Sequence, residues 1–336
     1  MSGIDRARRR MLLGIAGLGA VSALGLAVQA LSASSTPKAA DQAGLPVFPD
    51  FLSEKANVRN IRVLTRGTVY TLQYEADQWK LLESGGYPVR EDRLAALSAG
   101  LETLSWGELR TRDPGKFDRI GLGHPEENGQ GALIEIYTKG GEKIGSLITG
   151  RKASRLYGRR ADDPQCWTLD GDLPPLYARQ AWLDLDVIDM QPEVISGVNL
   201  KDASGRTLNL RRQLGDTVRD FIPSGLDSDL ELRNQLVASA PALALSRLSP
   251  IDVKSASALQ TEPLYEHVTV TFDALEIKLK AYAEPDGYFV TLRAIEAGNG
   301  AELAASVNGK AADWAFQLEP FDWNDFTVPV ADLVRP

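Results

Sequence analysis

Leu275-Glu276-Ile277-Lys278-Leu279-Lys280 alternates apolar and charged side chains over six residues. Successive side chains of an extended chain point to opposite faces, so this stretch buries one face and wets the other, as an antiparallel strand does. Pro285-Asp286-Gly287 then supplies turn chemistry, and Tyr288-Phe289-Val290-Thr291-Leu292 returns as the neighbouring strand. Working upstream, Val198-Asn199-Leu200 and Leu208-Asn209-Leu210 flank a turn at Asp202 to Gly205. Between these hairpins, Asp229 to Leu245 is expected to be a helix with Leu232, Leu236 and Leu243 inward, kinked or ended by Pro241.

The first half of the chain runs through the same order. Thr68 to Tyr74 and Trp79-Lys80-Leu81-Leu82 form a hairpin about Ala76 and Asp77. Leu94, Leu97, Leu101 and Leu104 then recur at helical spacing, with Glu91 and Asp92 where the positive end of the helix dipole favours acids. Ile134-Glu135-Ile136, a Gly140-Gly141 turn and Ile144 to Thr149 return to strand. Both halves close alike, with Trp167-Thr168-Leu169-Asp170 then Trp182, and Trp314-Ala315-Phe316-Gln317 then Trp323. The expected fold is therefore α+β: a duplicated unit of antiparallel strands with a packed helix, over residues 57–195 and 196–336.

Ahead of this body, residues 11–31 carry no charge, and as a helix they would span about 30 Å, the thickness of a hydrocarbon core. Arg6, Arg8, Arg9 and Arg10 precede them in a basic end, residues 1–10, and positive flanks stay cytoplasmic. The expectation is one N-terminal transmembrane helix in the inner membrane, with a Ser-, Ala- and Pro-rich tether over 32–56 and the body on the periplasmic side. Arg8-Arg9-Arg10-Met11-Leu12-Leu13 also resembles a twin-arginine export signal, which would make the protein a secreted one after cleavage.

The first unit also resembles a family. A Trp79-Lys80-Leu81 strand before a leucine-striped helix is followed by Phe117-Asp118-Arg119-Ile120-Gly121-Leu122-Gly123-His124-Pro125, then Leu147-Ile148-Thr149-Gly150, Leu156-Tyr157-Gly158-Arg159 and Cys166-Trp167-Thr168-Leu169. This succession is similar to the bacterial domain-of-unknown-function family 4340, over residues 60–190 and more faintly over 198–330. Gly123-His124 stands where that family's turn has an aspartate, and Gly158 where it has an alanine. The resemblance implies a single-anchor envelope protein, some relatives lying beside ABC transporters of the gliding-motility type, and it brings no catalytic residues.

Composition narrows the chemistry. The net charge is −8, and the basic end contributes +3, leaving −11 for the rest, which argues against a nucleic-acid partner. One cysteine, Cys166, excludes an intrachain disulfide, and Cys166 with His124 and His267 is too few soft ligands for a structural zinc site. No Ser stands in a Gly-x-Ser-x-Gly elbow, and Gly121-Leu122-Gly123 lacks the rest of a phosphate-binding fingerprint. Asp184 and Asp186 share one face opposite Leu183 and Leu185, and Asp189 follows, an arrangement read as a solvated face before an acid-base pair or calcium ligands. Arg151, Lys152, Arg155, Arg159 and Arg160 are read as a charged sheet edge, or as a face for anionic lipid or an acidic partner. The six tryptophans are read as core or as seams between the units.

No catalytic, cofactor-binding or metal residues are assigned, and no cofactor. The expected function is a membrane-anchored extracytoplasmic accessory or scaffold protein, not an enzyme, held to the membrane by residues 11–31 and docked on a protein partner in an envelope or ABC-type transport complex. The alternative is a module that binds a lipid or glycan between the two units. A packed junction with an exposed apolar strip favours the first, and a deep apolar cleft near Gln191 to Leu200 the second.

Overall fold

The computed structural model describes residues 42–213, 215–295 and 300–335. The basic end, the apolar stretch 11–31 and most of the tether lie outside the described residues. Among the described residues no helix is long and apolar enough to cross a membrane.

Two antiparallel sheets and a few helices make up the described residues from Gly44 onward. After a short helix α1 (Phe51–Glu54), the first sheet is built from β1 (Val58–Thr65), β2 (Thr68–Glu75), β3 (Gln78–Leu81), β4 (Tyr87–Pro88), helix α2 (Glu91–Thr103), β5 (Ser105–Leu109), β6 (Ala132–Thr138), β7 (Lys143–Lys152), β8 (Arg155–Arg159) and β9 (Trp167–Asp170). Its strand order is β4-β3-β2-β1-β6-β7-β8-β9-β5. The second sheet contains β10 (Ile195–Lys201), β11 (Thr207–Arg211), β12 (Ile222–Pro223), β13 (Asp252–Ser255), β14 (Tyr265–Thr271), β15 (Glu276–Glu284), β16 (Gly287–Ile295) and β17 (Trp314–Leu318), in the order β12-β11-β10-β14-β15-β16-β17-β13. Helices α3 (Gln235–Leu243), α4 (Ala301–Ala311), α5 (Pro320–Phe326) and α6 (Val330–Leu333) accompany it.

The two orders correspond strand for strand: β2-β1-β6-β7-β8-β9-β5 in one sheet matches β11-β10-β14-β15-β16-β17-β13 in the other. In both, the strand that follows the helix crosses to the far edge, where β5 pairs with β9 and β13 with β17.

Local chemistry explains the elements. Ala76 and Asp77 both take positive φ, the left-handed pair that matches the twist of a two-residue hairpin between β2 and β3. In β15, Ile277, Leu279 and Ala281 are buried while Lys278 and Lys280 are exposed, as alternation requires. Helix α2 buries Leu97 and Leu101, and Leu104 is buried just past its end. Burial of such a leucine side chain stabilises the fold by about 1.5–3 kcal/mol.

The helix read over Asp229 to Leu245 is shorter. It begins at Gln235 because Asn234 caps it, its side chain accepting from the Leu236 N–H at 2.8 Å. Leu236 therefore falls in the first turn and faces outward, and Leu232 forms an isolated bridge with Val334. Pro241 sits inside the helix, which runs two residues past it before tightening into a 3₁₀ turn at Ala244–Arg247.

The motif from Phe117 to Pro125 is a backbone-to-backbone knot. Gly131 N–H donates to the Gly123 carbonyl at 2.9 Å, and a Cβ on Gly150 of β7 would overlap the Gly121 carbonyl oxygen. Leu122, Phe117 and Cys166 fill a small core with Leu64, Leu133 and Ile148. Arg159, buried, donates to the Leu122 carbonyl at 3.1 Å and lies over the Phe117 ring.

Candidate functional site

The edges that meet are β4 of the first sheet and β13 of the second, and a cleft opens beside them. It encloses about 640 Å³ between β4, the start of α2, the extended stretch after Trp182, the end of α4 and Trp314. An isolated bridge between Val89 and Leu183, with the Arg90 N–H donating to the Trp182 carbonyl at 2.9 Å, fixes two of these walls to each other.

Below the cleft the junction is tightly packed. Arg179 pairs with Asp252, whose other oxygen accepts from Ser84 Oγ at 3.1 Å, and Arg179 also donates to the Glu83 carbonyl at 3.0 Å. Tyr87 meets Trp314 edge to face with centroids 4.9 Å apart, and Phe316 at 6.1 Å. Gly85, at φ +70°, lies so close to the Ser255 backbone nitrogen that a Cβ would come within 2.9 Å of it.

The cleft's charges are arranged in pairs. Lys310 Nζ binds Asp184 Oδ2 at 2.9 Å and donates to the Asp186 carbonyl at 2.9 Å. Arg90 grips Asp92 through both Nε and Nη2, at 2.9 and 2.8 Å, which holds that carboxyl below its usual range. Tyr87 donates its hydroxyl to the Asp184 carbonyl at 2.9 Å; burial, and secondarily the charge of Asp184, push it up to about 12, so it stays a donor. Four carboxylates, those of Glu91, Asp92, Asp184 and Asp186, face two cations, leaving the lining negative by two. Such a cleft offers hydrogen bonds and an aromatic wall to a polar ligand.

Asp184 and Asp186 thus do share this cleft, although in an extended segment without a ladder. Asp189 is exposed and accepts from the Gln191 side chain at 3.2 Å. The five basic residues from Arg151 to Arg160 lie on β7, β8 and just beyond, and these are interior strands, so the sheet-edge reading is corrected. Arg151 pairs with Asp172, Arg159 is buried, and Arg160 stacks on Trp106. His124 caps a 3₁₀ turn, its Nδ1 accepting from the Glu126 N–H at 3.3 Å. His267 is buried against Phe326. Trp106, Trp167, Trp182 and Trp323 are core, whereas Trp314 sits in the seam. Among the described residues no group of three or more His, Cys, Asp or Glu side chains is arranged to hold a metal ion.

Sequence reasoning missed Lys310, Arg90 and the Arg179–Asp252 pair. Arg179 and Lys310 find their partners 73 and 124 residues away, beyond any local pattern, and the Arg90 N–H reaches across to the Trp182 carbonyl; Trp314 is covered by the reading of all six tryptophans as core or seams.

Among known families the chain matches the one described as Domain of unknown function (DUF4340), over residues 79–261, more than half of the chain. The matched stretch begins at β3 and runs past β13, so it crosses both sheets, where the resemblance read from motifs centred on residues 60–190. No curated protein and no solved structure matches the chain.

Proposed function

We propose, on the premise that this chain belongs to the family of domains of unknown function DUF4340, that it is a membrane-anchored extracytoplasmic scaffold or accessory protein without catalysis, serving an envelope or ABC-type transport complex. In this reading the uncharged residues 11–31 cross the inner membrane, Arg6, Arg8, Arg9 and Arg10 hold their leading end in the cytoplasm, and the body works in the periplasm. The two sheets are copies of one duplicated unit, 57–195 and 196–336, and their matching strand orders support this.

The observation that carries the scaffold reading is the closed junction. Asp252 and Arg179 are largely buried where the sheets meet, and Tyr87, Trp314 and Gly85 interlock beside them. A largely buried ion pair and an aromatic edge-to-face contact resist hinge motion, so the body offers a surface of fixed shape. A tether raises the local concentration of that surface at the membrane.

A second reading is favoured by the 640 Å³ cleft above this junction, whose Trp314 wall and rim of carboxylates, Arg90 and Lys310 suit a glycan. One experiment separates the two. The full chain, carrying a short epitope in the exposed Gly140-Gly141 turn, is isolated from solubilised membranes and analysed by mass spectrometry of proteins and small molecules. Transporter subunits in fixed ratio to the protein support the scaffold. A lone monomer carrying a saccharide or lipid overturns it.

A further inference from the structure

Apolar side chains are unusually exposed in one short stretch of the second sheet. Ile222 on β12 is 57% exposed, Leu236 on α3 is 58% exposed, and Leu226 is fully exposed, with Leu230 and Val237 also open. The fold ties the two ends of this stretch to each other: the Gln235 side chain donates to the carbonyls of Arg219 (2.6 Å) and Phe221 (2.7 Å), joining α3 to the segment that leads into Ile222. Leu226 is thrust out by a 3₁₀ turn, Gly225–Asp227, entered through Gly225 at φ +66°. Beside Leu236 a groove of about 440 Å³ runs between α3 and Val218. Isolated exposed leucines are ordinary, but five apolar side chains within sixteen residues form a strip.

The border of the strip is acidic. Asp216, Asp220, Asp227, Asp229 and Glu231 stand against Arg219 and Arg233 over residues 216–237; Arg335 pairs with Glu231, and Arg247 on the groove wall is offset by Asp325, which leaves a net −2. That sign selects the occupant. An anionic lipid surface meets repulsion. A second copy brings the same acidic border to itself, in a chain with eight excess negative charges. Addition of a partner strand is poorly served too, because β12 is two residues long and one of them is Pro223, which has no N–H to offer. We infer that this strip docks a protein partner presenting an apolar surface bordered by lysine and arginine, packed by side chains and not by strand addition. The inference rests on the scaffold reading and names its contact surface.

The test uses the full chain in its native membranes with a photo-crosslinking residue at position 226, and, as a control, at exposed Leu52 on α1. The expected result is one protein linked at 226 and not at 52, through a peptide whose sequence is apolar and flanked by Lys or Arg. Leu226→Asp, at a fully exposed position where folding is indifferent, is expected to reduce recovery of that protein about tenfold or more, as loss of a central anchor does. Asp220→Lys with Asp229→Lys is expected to reduce it further, and added salt to weaken the wild-type link. Links only to lipid, only to another copy of this chain, or equal at both positions overturn the inference. If the epitope-tagged chain still recovers transporter subunits while Leu226→Asp changes nothing, the strip assignment falls and the scaffold reading stands. If no partner is recovered at all, both fall.

Discussion

His267 makes the stability of this protein depend on pH in a calculable way. It sits on β14, opposite Leu200 and Leu279 on the flanking strands and 6.0 Å from the Phe326 ring. Burial disfavours its charged form and a hydrogen bond to the Phe326 backbone only partly offsets this, so it is pushed down to about 4 from an ordinary 6.5. In the unfolded chain the imidazole binds a proton as pH falls through 6.5, while the folded protein resists until about 4. The contribution of neutral, buried His267 is therefore fully present above pH 6.5 and is lost progressively between 6.5 and 4. At pH 4.5 the linkage relation gives a loss of about 2.5 kcal/mol, a large share of a typical margin of about 5–15 kcal/mol. Asp325, whose carboxyl is raised by burial, works in the opposite sense, so the slope is read by difference. Urea unfolding of the purified protein, followed by tryptophan fluorescence from pH 7.5 to 4.5, supplies the wild-type slope. His267→Gln, which keeps an N–H for the Phe326 carbonyl and does not titrate, is expected to be less stable at pH 7.5 but flatter across the window. Equal slopes for the two proteins would refute the argument.

Four further outcomes are expected. Asp202 is buried at the β10–β11 turn, where its carboxylate accepts from the backbone N–H groups of Ser204, Arg206 and Val330; Asp202→Ala should cost about 2–4 kcal/mol in denaturant unfolding, and Asp202→Asn less. Gly150→Ala should prevent soluble expression or lower Tm strongly, because the added methyl overlaps the Gly121 carbonyl, whereas Gly309→Ala on α4 meets open space and should raise stability by about 0.5–1 kcal/mol. Arg179→Ala leaves Asp252 buried without its cation and should cost about 3 kcal/mol, with new protease cleavage between residues 184 and 194 as the sheets loosen. Cys166 is buried, which pushes its thiol up to about 11, so alkylation at pH 8 should require denaturant.

Much of the fold was legible where one face of an element is wet. The alternation from Leu275 to Lys280 and the leucines of α2 report that asymmetry directly, and both elements stand where their periodicity puts them. Legibility fails where both faces are covered or polar groups turn inward. In β14 it is His267, Thr269 and Thr271 that are buried, while Val268 and Val270 are half-exposed, the reverse of what hydrophobicity alone suggests. The start of α3 was misplaced because Leu232 and Leu236 fit a helical period, while the Asn234 cap that ends the preceding loop is a single-residue signal. The cleft was half visible: Asp184 and Asp186 were singled out, but Lys310, which pairs with them, belongs to the other sheet's α4.

The closing residues carry a practical lesson. The Arg233 N–H donates to the Leu333 carbonyl and the Arg335 N–H to the Glu231 carbonyl, so the carboxyl end is stitched alongside the loop that follows Leu230. A bulky fusion added after it would stand next to the exposed leucines and shade them from whatever binds there. Reporters and affinity handles are better housed in the exposed Gly140-Gly141 turn of the other sheet, and a phenotype lost with a fusion after Arg335 but kept with the same insert in that turn would point to obstruction of the leucines.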